Sequence, residues 1–328
     1  MLSTAWGSHN YRSTLLDATT VGRDIALLHL SGSLERYQFE SLAQEELVHA
    51  VFTRVGGVSA KPFDTLNVGN KVGDAPEAVA SNHARIYSHL AISADQVATP
   101  RQVHGSRIAA VTVENAGTEL PNTDGLATNI PGVVLLLRFA DCQPILLYDP
   151  DNHALGLIHA GWRGVAQAIA RQAVERMQQA FGSQPQRLIA GLGPAIGPCC
   201  YTVGQNVASA MSYALPDWHH AVVQEGDSWR LDLSAANAQH LEAAGVQTVE
   251  QAQLCTACHN DIFFSHRADK GHTGRFAVVA FLQPRTFTKP ATVGQPPQSE
   301  AVQGDTPQPQ SLHPPGLPPF HAGSGGSQ

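Results

Sequence analysis

A chain of 328 residues can bury one large core or two ordinary ones. With 43% apolar and 14% charged residues, it has the balance of a globular protein rather than of a disordered one. A net charge of −7 without any basic block sets nucleic acid aside as the main partner, and five unevenly spaced cysteines exclude a secreted disulfide scaffold.

From the N-terminus, residues 1–45 read as an extension, partly ordered, with strand character over 24–34. The opening MLSTAWGSHNYRST lacks a basic head followed by an apolar run, so no signal peptide is expected and the cytoplasm is the expected compartment. Strands are predicted over 47–53, 108–113, 133–138, 145–149, 154–159 and 276–282. Helices are predicted over 76–90, 164–181, 203–213 and 234–244. The second has the clearest pattern: Val165, Ile169, Ala173, Met177 and Phe181 recur along one face, and Gly182 stands where a C-terminal cap belongs. The longest strongly apolar stretch, residues 132–137, is far too short to cross a bilayer, so no membrane partner is expected. Residues 46–285 contain no repeat or linker and read as a single mixed α/β domain. Beyond them, nine of the 21 prolines mingle with Gln, Gly and Ser. Residues 286–328 are expected to form a disordered tail, because such a composition buries too little apolar surface to offset its ordering entropy.

The most informative stretch runs from Asp141 to Gly164, DCQPILLYDPDNHALGLIHAGWRG. Two apolar runs flank Asp149-Pro150-Asp151-Asn152, a cluster that favours a tight turn and so a β-hairpin. Cys142 and His159 stand equally far from the centre of that turn. A regular register sets them opposite each other, close enough for a thiolate and an imidazole to share a metal ion. The chain then passes through His159-Ala160-Gly161-Trp162-Arg163-Gly164 into the predicted helix. The free N–H groups at the helix start, with Arg163, make a candidate phosphate site. A lone buried cysteine or strand-end histidine is more often structural, and Arg163 taken alone reads equally well as a surface side chain.

Gln102-Val103-His104-Gly105 precedes a strand-like run and offers another histidine, though spacing alone does not connect it to the pair. Further motifs follow in chain order: Thr53-Arg54-Val55-Gly56-Gly57, Leu66-Asn67-Val68-Gly69, Thr123-Asp124-Gly125, Ala140-Asp141-Cys142, Gly193-Pro194-Ala195-Ile196-Gly197 with Tyr201, Cys255-Thr256, and Thr273-Gly274-Arg275. Together they resemble the family described as laccase-domain or polyphenol oxidoreductase proteins, also as purine nucleoside phosphorylases and as peptidoglycan editing factors.

The resemblance implies an α/β (α+β) fold, a layered sandwich of mixed β-sheets covered by helices, with residues 46–285 as the catalytic domain. It implies that His104, Cys142 and His159 bind one Zn2+ and form the catalytic centre. Three protein ligands would leave a fourth position open, and imidazole and thiolate suit zinc. It implies Arg54 as a catalytic cation for phosphate or transition-state charge, with a salt bridge holding the glycine turn as its structural counterpart. Asn67 would orient a substrate hydroxyl or cap its loop, and Arg163 and Gly164 would bind phosphate. Asp141 adjoins a ligand and would either support it or cap the turn.

The activity implied is zinc-dependent purine nucleoside phosphorolysis of adenosine, inosine or guanosine, with adenosine deamination as a companion reaction. The partners are then a purine nucleoside and phosphate, in a monomer or homodimer. Two alternatives stay open: a hydrolase of UDP-muramoyl cell-wall precursors using a Cys–His site, and a nucleoside-binding module without turnover. A four-electron copper oxidase is set aside, because the sequence contains no His-x-His pair. The family often shows Ser-Tyr-Arg-Arg where this chain has Ser265-His266-Arg267-Ala268, and arginine where it has His83, which puts the edge of the pocket in question.

Cys255-Thr256-Ala257-Cys258-His259 matches the haem-attachment pattern, but no export signal accompanies it. The same CxxC is open to a redox pair or to half of a structural zinc site with Cys199 and Cys200. No second CxxC completes it, so none of these readings is adopted.

Overall fold

The strand Val134–Phe139 shows how the architecture arises. Val134 and Leu136 face one way, Leu135, Leu137 and Phe139 the other, and all five are buried. A strand apolar on both faces must be covered on both, which calls for stacked layers. In the computed structural model, which describes residues 25–28 and 34–285, two mixed sheets pack face to face and helices cover their outer sides. The fold is α+β, a sandwich of mixed sheets with helical outer layers. No helix among the described residues is long and apolar enough to cross a membrane.

The first sheet has seven strands in the order Ile25–Leu28, Arg36–Phe39, Leu47–Phe52, Phe276–Leu282, Val134–Phe139, Val97–Pro100 and Glu119–Leu120. Its first five strands are antiparallel to their neighbours and the last two join in parallel. The second sheet has six: Thr248–Gln251, Ile189–Leu192, Gln143–Asp149, Ala154–Ala160, Gly125–Thr128 and Ile108–Ala110. Antiparallel pairs form its centre and parallel pairs its two ends. Thr202–Val203, Ser228–Leu231 and Val222–Glu225 make a small third sheet.

Between the large sheets, Leu135, Leu137 and Val278 of the first share a core with Leu126, Leu146 and Leu157 of the second. Tyr37, Phe39 and Leu42, which fall within the expected N-terminal extension, are buried in this same layer. The helix Ile169–Phe181 covers the second sheet through Ile169, Ala173, Val174 and Met177, and Pro76–Leu90 covers the first through Ile86. Each fully buried aliphatic side chain contributes about 1.5–3 kcal/mol relative to exposure, so these layers form a stiff frame for the loops they carry. Residues 1–24, 29–33 and 286–328, the last of them the expected disordered tail, lie outside the described residues.

Two local expectations are corrected. The hairpin register pairs His159 with Pro144 and Asp149 with Ala154, not His159 with Cys142. The connection is therefore the longer loop of residues 150–153. Asp149 caps it by accepting the N–H groups of Asp151 and Asn152, and His153 adopts a left-handed φ of 50°. A two-residue change of partner leaves every side chain on its expected face, since the strand period is two. The predicted helix 164–181 is also two helices, Trp162–Ala166 and Ile169–Phe181, separated at Ala168 by a left-handed φ of 55°. The break lets both Val165 and Ile169 reach the core while Gly164 lies against the Gly105 carbonyl.

Candidate metal centre

Cys142 immediately precedes the Gln143–Asp149 strand, where Asp141 turns the chain with a φ of 83°. By the observed register Cys142 falls opposite Gly161, one step beyond the paired strands. Gly161 has no side chain there, and a Cβ would stand 2.8 Å from Cys142 Sγ and 3.1 Å from His104 Cδ2. The thiol therefore extends over Gly161 and reaches His159. His104 comes from the opposite side on a tight turn, itself in left-handed conformation at φ 59°. Its ring stands edge-on to that of His159, with centroids 5.0 Å apart.

One ligand atom from each of His104, Cys142 and His159 lies within 4.8 Å of the others. Two imidazole nitrogens and a sulfur form a donor set suited to a borderline-soft divalent ion, and the space left by Gly161 keeps the middle of the cluster open.

The residue that builds this geometry is Asp124, fully buried at the start of the Gly125–Thr128 strand. Its carboxylate accepts the backbone N–H groups of Val103, His104 and Gly105 at 2.8–3.2 Å, which folds the His104 turn. Its Oδ1 also lies 3.0 Å from His159 Nδ1, leaving Nε2 for the cluster. Asp141 does something different. Its carboxylate accepts from Thr256 Oγ1, Ser265 Oγ and the Arg267 N–H, and its carbonyl accepts from the Ile196 N–H. It ties three loops together beside Cys142.

The charges are arranged to match. Burial alone would raise the Cys142 thiol, but the positive His159 beside it and hydrogen bonds from His104 and His159 outweigh burial and bring it down to about 6. Burial alone would lower His159, but the Cys142 thiolate and the Asp124 hydrogen bond lift it to about 9. The sulfur is thus held as thiolate, the form that binds metals and attacks electrophiles.

The cluster opens onto a cavity of about 480 Å³. Lys71, Arg101, Arg138, Arg163, Arg267 and Arg275 line it, against only Glu119 and Asp141. Lys71 and Arg138 approach Glu119 at 3.8 and 3.5 Å, while Arg275 donates to the carbonyls of Thr273 and Gly274. Trp162, Ile196, Tyr201 and Leu233 supply flat and apolar walls. Burial, with the negative field of Cys142, pushes the Tyr201 phenol up, so its hydroxyl remains a proton donor. At the rim His266 and Arg267 face the cavity. His83 does not line it and instead contacts the Val68 carbonyl.

Of the residues expected at the site, His104, Cys142, His159 and Arg163 line one cavity. Arg54, Asn67 and Gly164 do not. The Arg54 guanidinium donates to the carbonyls of Asp64 and Asn260 and lies over the Phe264 ring, contacts that hold it beside the glycine turn. Asn67 is fully buried and bonded to Gly69, Asp74 and the backbone N–H of Arg275, which fixes the chain where Arg275 enters the cavity wall. Gly164 sits on a helix of five residues, packed against Gly105. Sequence reasoning assigned no role to Asp124, Arg138 or Arg275. Only the motifs around Asp124 and Arg275 pointed there, and neither carries chemistry in its spacing.

The chain is similar to a purine nucleoside phosphorylase of Geobacillus stearothermophilus, YlmD, with 39% identity over 246 residues covering 72% of this chain and 89% of the relative. It is 38% identical over 238 residues to a purine nucleoside phosphorylase of Deinococcus radiodurans, covering 72% and 90%. The crystal structure of Geobacillus stearothermophilus YlmD superposes with a TM-score of 0.75 at 36% identity, covering 80% of this chain and all of that one. That of the Bacillus licheniformis hypothetical protein YfiH superposes with a TM-score of 0.74 at 34% identity, covering 78% and 99%. The family model described as multi-copper polyphenol oxidoreductase laccase matches residues 48–283. On that match and those identities, the chain belongs to the multi-copper polyphenol oxidoreductase laccase family.

Proposed function

We propose that the protein is a zinc-dependent purine nucleoside phosphorylase. The observation that carries this reading is the cation-rich cavity opening directly onto the His104–Cys142–His159 cluster. The relatives that bear the name purine nucleoside phosphorylase support it. Zinc held by these three residues would supply a Lewis acid at the base of the cavity.

The chain's own groups do the rest. Arg138, Arg163 and Arg275 bind phosphate and aim one of its oxygens at C1′ of the ribose. Trp162, Ile196, Tyr201 and Leu233 hold the purine by stacking and burial. The C1′–O bond to phosphate forms as the C1′–N9 bond breaks. The purine leaves with a proton from the Tyr201 hydroxyl, which regains it from the hydrogenphosphate as that bonds to C1′, giving free base and ribose 1-phosphate. Adenosine deamination is the companion activity to look for in the same cavity.

One observation favours a second reading. Cys142, His159 and Asp124 also make a nucleophile, base and orienting-acid arrangement that needs no metal, as a hydrolase of cell-wall precursors would use. Incubating the purified protein with adenosine, with and without phosphate, separates the two. Phosphorolysis gives adenine and ribose 1-phosphate only when phosphate is present, and His104→Ala loses the metal of this centre together with the activity. Phosphate-independent turnover, or full activity after zinc removal, would overturn the phosphorylase reading.

A further inference from the structure

Four of the five cysteines play no part in the site above. Cys199 and Cys200 end the loop that carries Ile196, and Cys255 and Cys258 lie on the turn that follows the Thr248–Gln251 strand. The two segments are far apart in sequence yet are held together, with Ala195 bridged to Cys255 and the Gly197 N–H donated to Cys255 Sγ at 3.2 Å. Their approach is close: a Cβ on Gly197 would stand 3.2 Å from Cys255 Cβ and 3.4 Å from Cys199 Sγ.

All four sulfur atoms lie within 4.8 Å of one another. Cys258 Sγ is 3.5 Å from Cys199 Sγ and 3.4 Å from Cys200 Sγ. A disulfide needs sulfurs about 2.0 Å apart, so these contacts are too long for one. A tetrahedron of thiolates with metal–sulfur bonds of about 2.3 Å has edges of roughly 3.8 Å, within the range observed here. One ion fits at that spacing, whereas the sulfide core of a multi-iron cluster would hold the thiolates farther apart. Four thiolates so close repel one another, and a divalent cation at their centre offsets that repulsion.

We propose that Cys199, Cys200, Cys255 and Cys258 bind a zinc ion as a closed tetrathiolate, separate from the His104–Cys142–His159 centre. Binding releases the four thiol protons to solvent and leaves no open position, so the ion is structural rather than catalytic. What it clamps is specific. The Ile196 N–H, Thr256, Ser265 and the Arg267 N–H all converge on Asp141, and Ile196, Tyr201 and Arg267 line the cavity. The ion fastens the two loops that make this wall, which lets them keep their shape with little regular secondary structure.

Metal analysis of the full chain, purified under reducing conditions, tests the proposal without reference to activity. Two zinc ions per chain are expected in the wild type, and one in Cys258→Ser. One is also expected in His104→Ala, which alters only the other centre. Cobalt loaded into His104→Ala should give the strong thiolate-to-cobalt charge transfer and tetrahedral visible bands of a four-sulfur site, a readout that needs no cysteine variant to fold. A His104→Ala protein without bound zinc and without that cobalt spectrum would overturn the proposal. So would intact-mass evidence that these cysteines form disulfides in freshly purified reduced protein.

Discussion

Asp124 Oδ1 lies 3.0 Å from His159 Nδ1 while the same carboxylate receives the N–H of His104. One buried acid therefore sets the ring of one metal-capable histidine and the backbone of the other. Asp124→Asn keeps the volume but weakens both functions, and is expected to reduce zinc affinity about 10–100-fold. Competition against a chromophoric chelator measures this, and unchanged affinity would show that His159 needs no such partner.

Gly161 should be as sensitive as a ligand. A methyl group there would press into Cys142 Sγ and the His104 ring. Gly161→Ala is expected to lower zinc occupancy of this centre by about tenfold or more while leaving the circular dichroism spectrum unchanged, because the obstruction falls between ligands rather than in the core. Full occupancy in the alanine variant would mean that the cluster rearranges freely.

Arg275 is placed by Asn67 and faces the cavity, which makes it the strongest test of the phosphate subsite. In Arg275→Gln the KM for phosphate is expected to rise about 10–100-fold, with zinc content retained. A variant that loses nucleoside affinity and keeps its phosphate KM would move phosphate elsewhere in the cavity.

His49 supplies a pH dependence outside the His104–Cys142–His159 cluster. It is buried, its Nε2 accepts the Phe39 N–H at 2.8 Å, and burial together with nearby Arg36 lowers it from 6.5 to about 4. A histidine whose folded value lies below its unfolded one takes up protons more readily when unfolded. Its contribution is therefore intact above pH 6.5 and is lost as the pH falls toward 4, by about 2 kcal/mol between pH 7 and 5. Urea unfolding of the wild type and His49→Gln across that interval should give a shallower loss for the variant. Parallel curves would show that His49 does not carry the effect.

The sequence makes the long, strongly patterned elements legible. The strand Phe276–Leu282 and the helix Pro76–Leu90, with proline in its first turn, stand where they are predicted. Val97–Pro100, Gly125–Thr128, Ile189–Leu192 and Thr248–Gln251 were not predicted, being short strands each with a parallel partner that lack a hairpin turn to announce them. Cys142 and His159 do meet, but by a different route from the one their spacing suggests. The approach depends on the left-handed turn at Asp141 and the bare Gly161, which a count from the hairpin turn cannot reveal. Arg54 shows the converse. Its residue type suits phosphate, yet its tertiary neighbours Asp64 and Asn260 engage most of its donors and it does not line the cavity.

The hairpin has a wider consequence. Its two strands are seven residues long, so the 150–153 loop lies roughly 20 Å from the Cys142 end. The loop is nevertheless tied down, with Arg187 donating to Asp151 at 2.7 Å and His153 Nε2 against the Gln283 carbonyl. Its length sets the register that brings Cys142 opposite Gly161, so adding or removing one residue there would shift the thiol at the far end. A fluorophore attached to an exposed side chain of the loop leaves that length unchanged and would report on the protein from a distance.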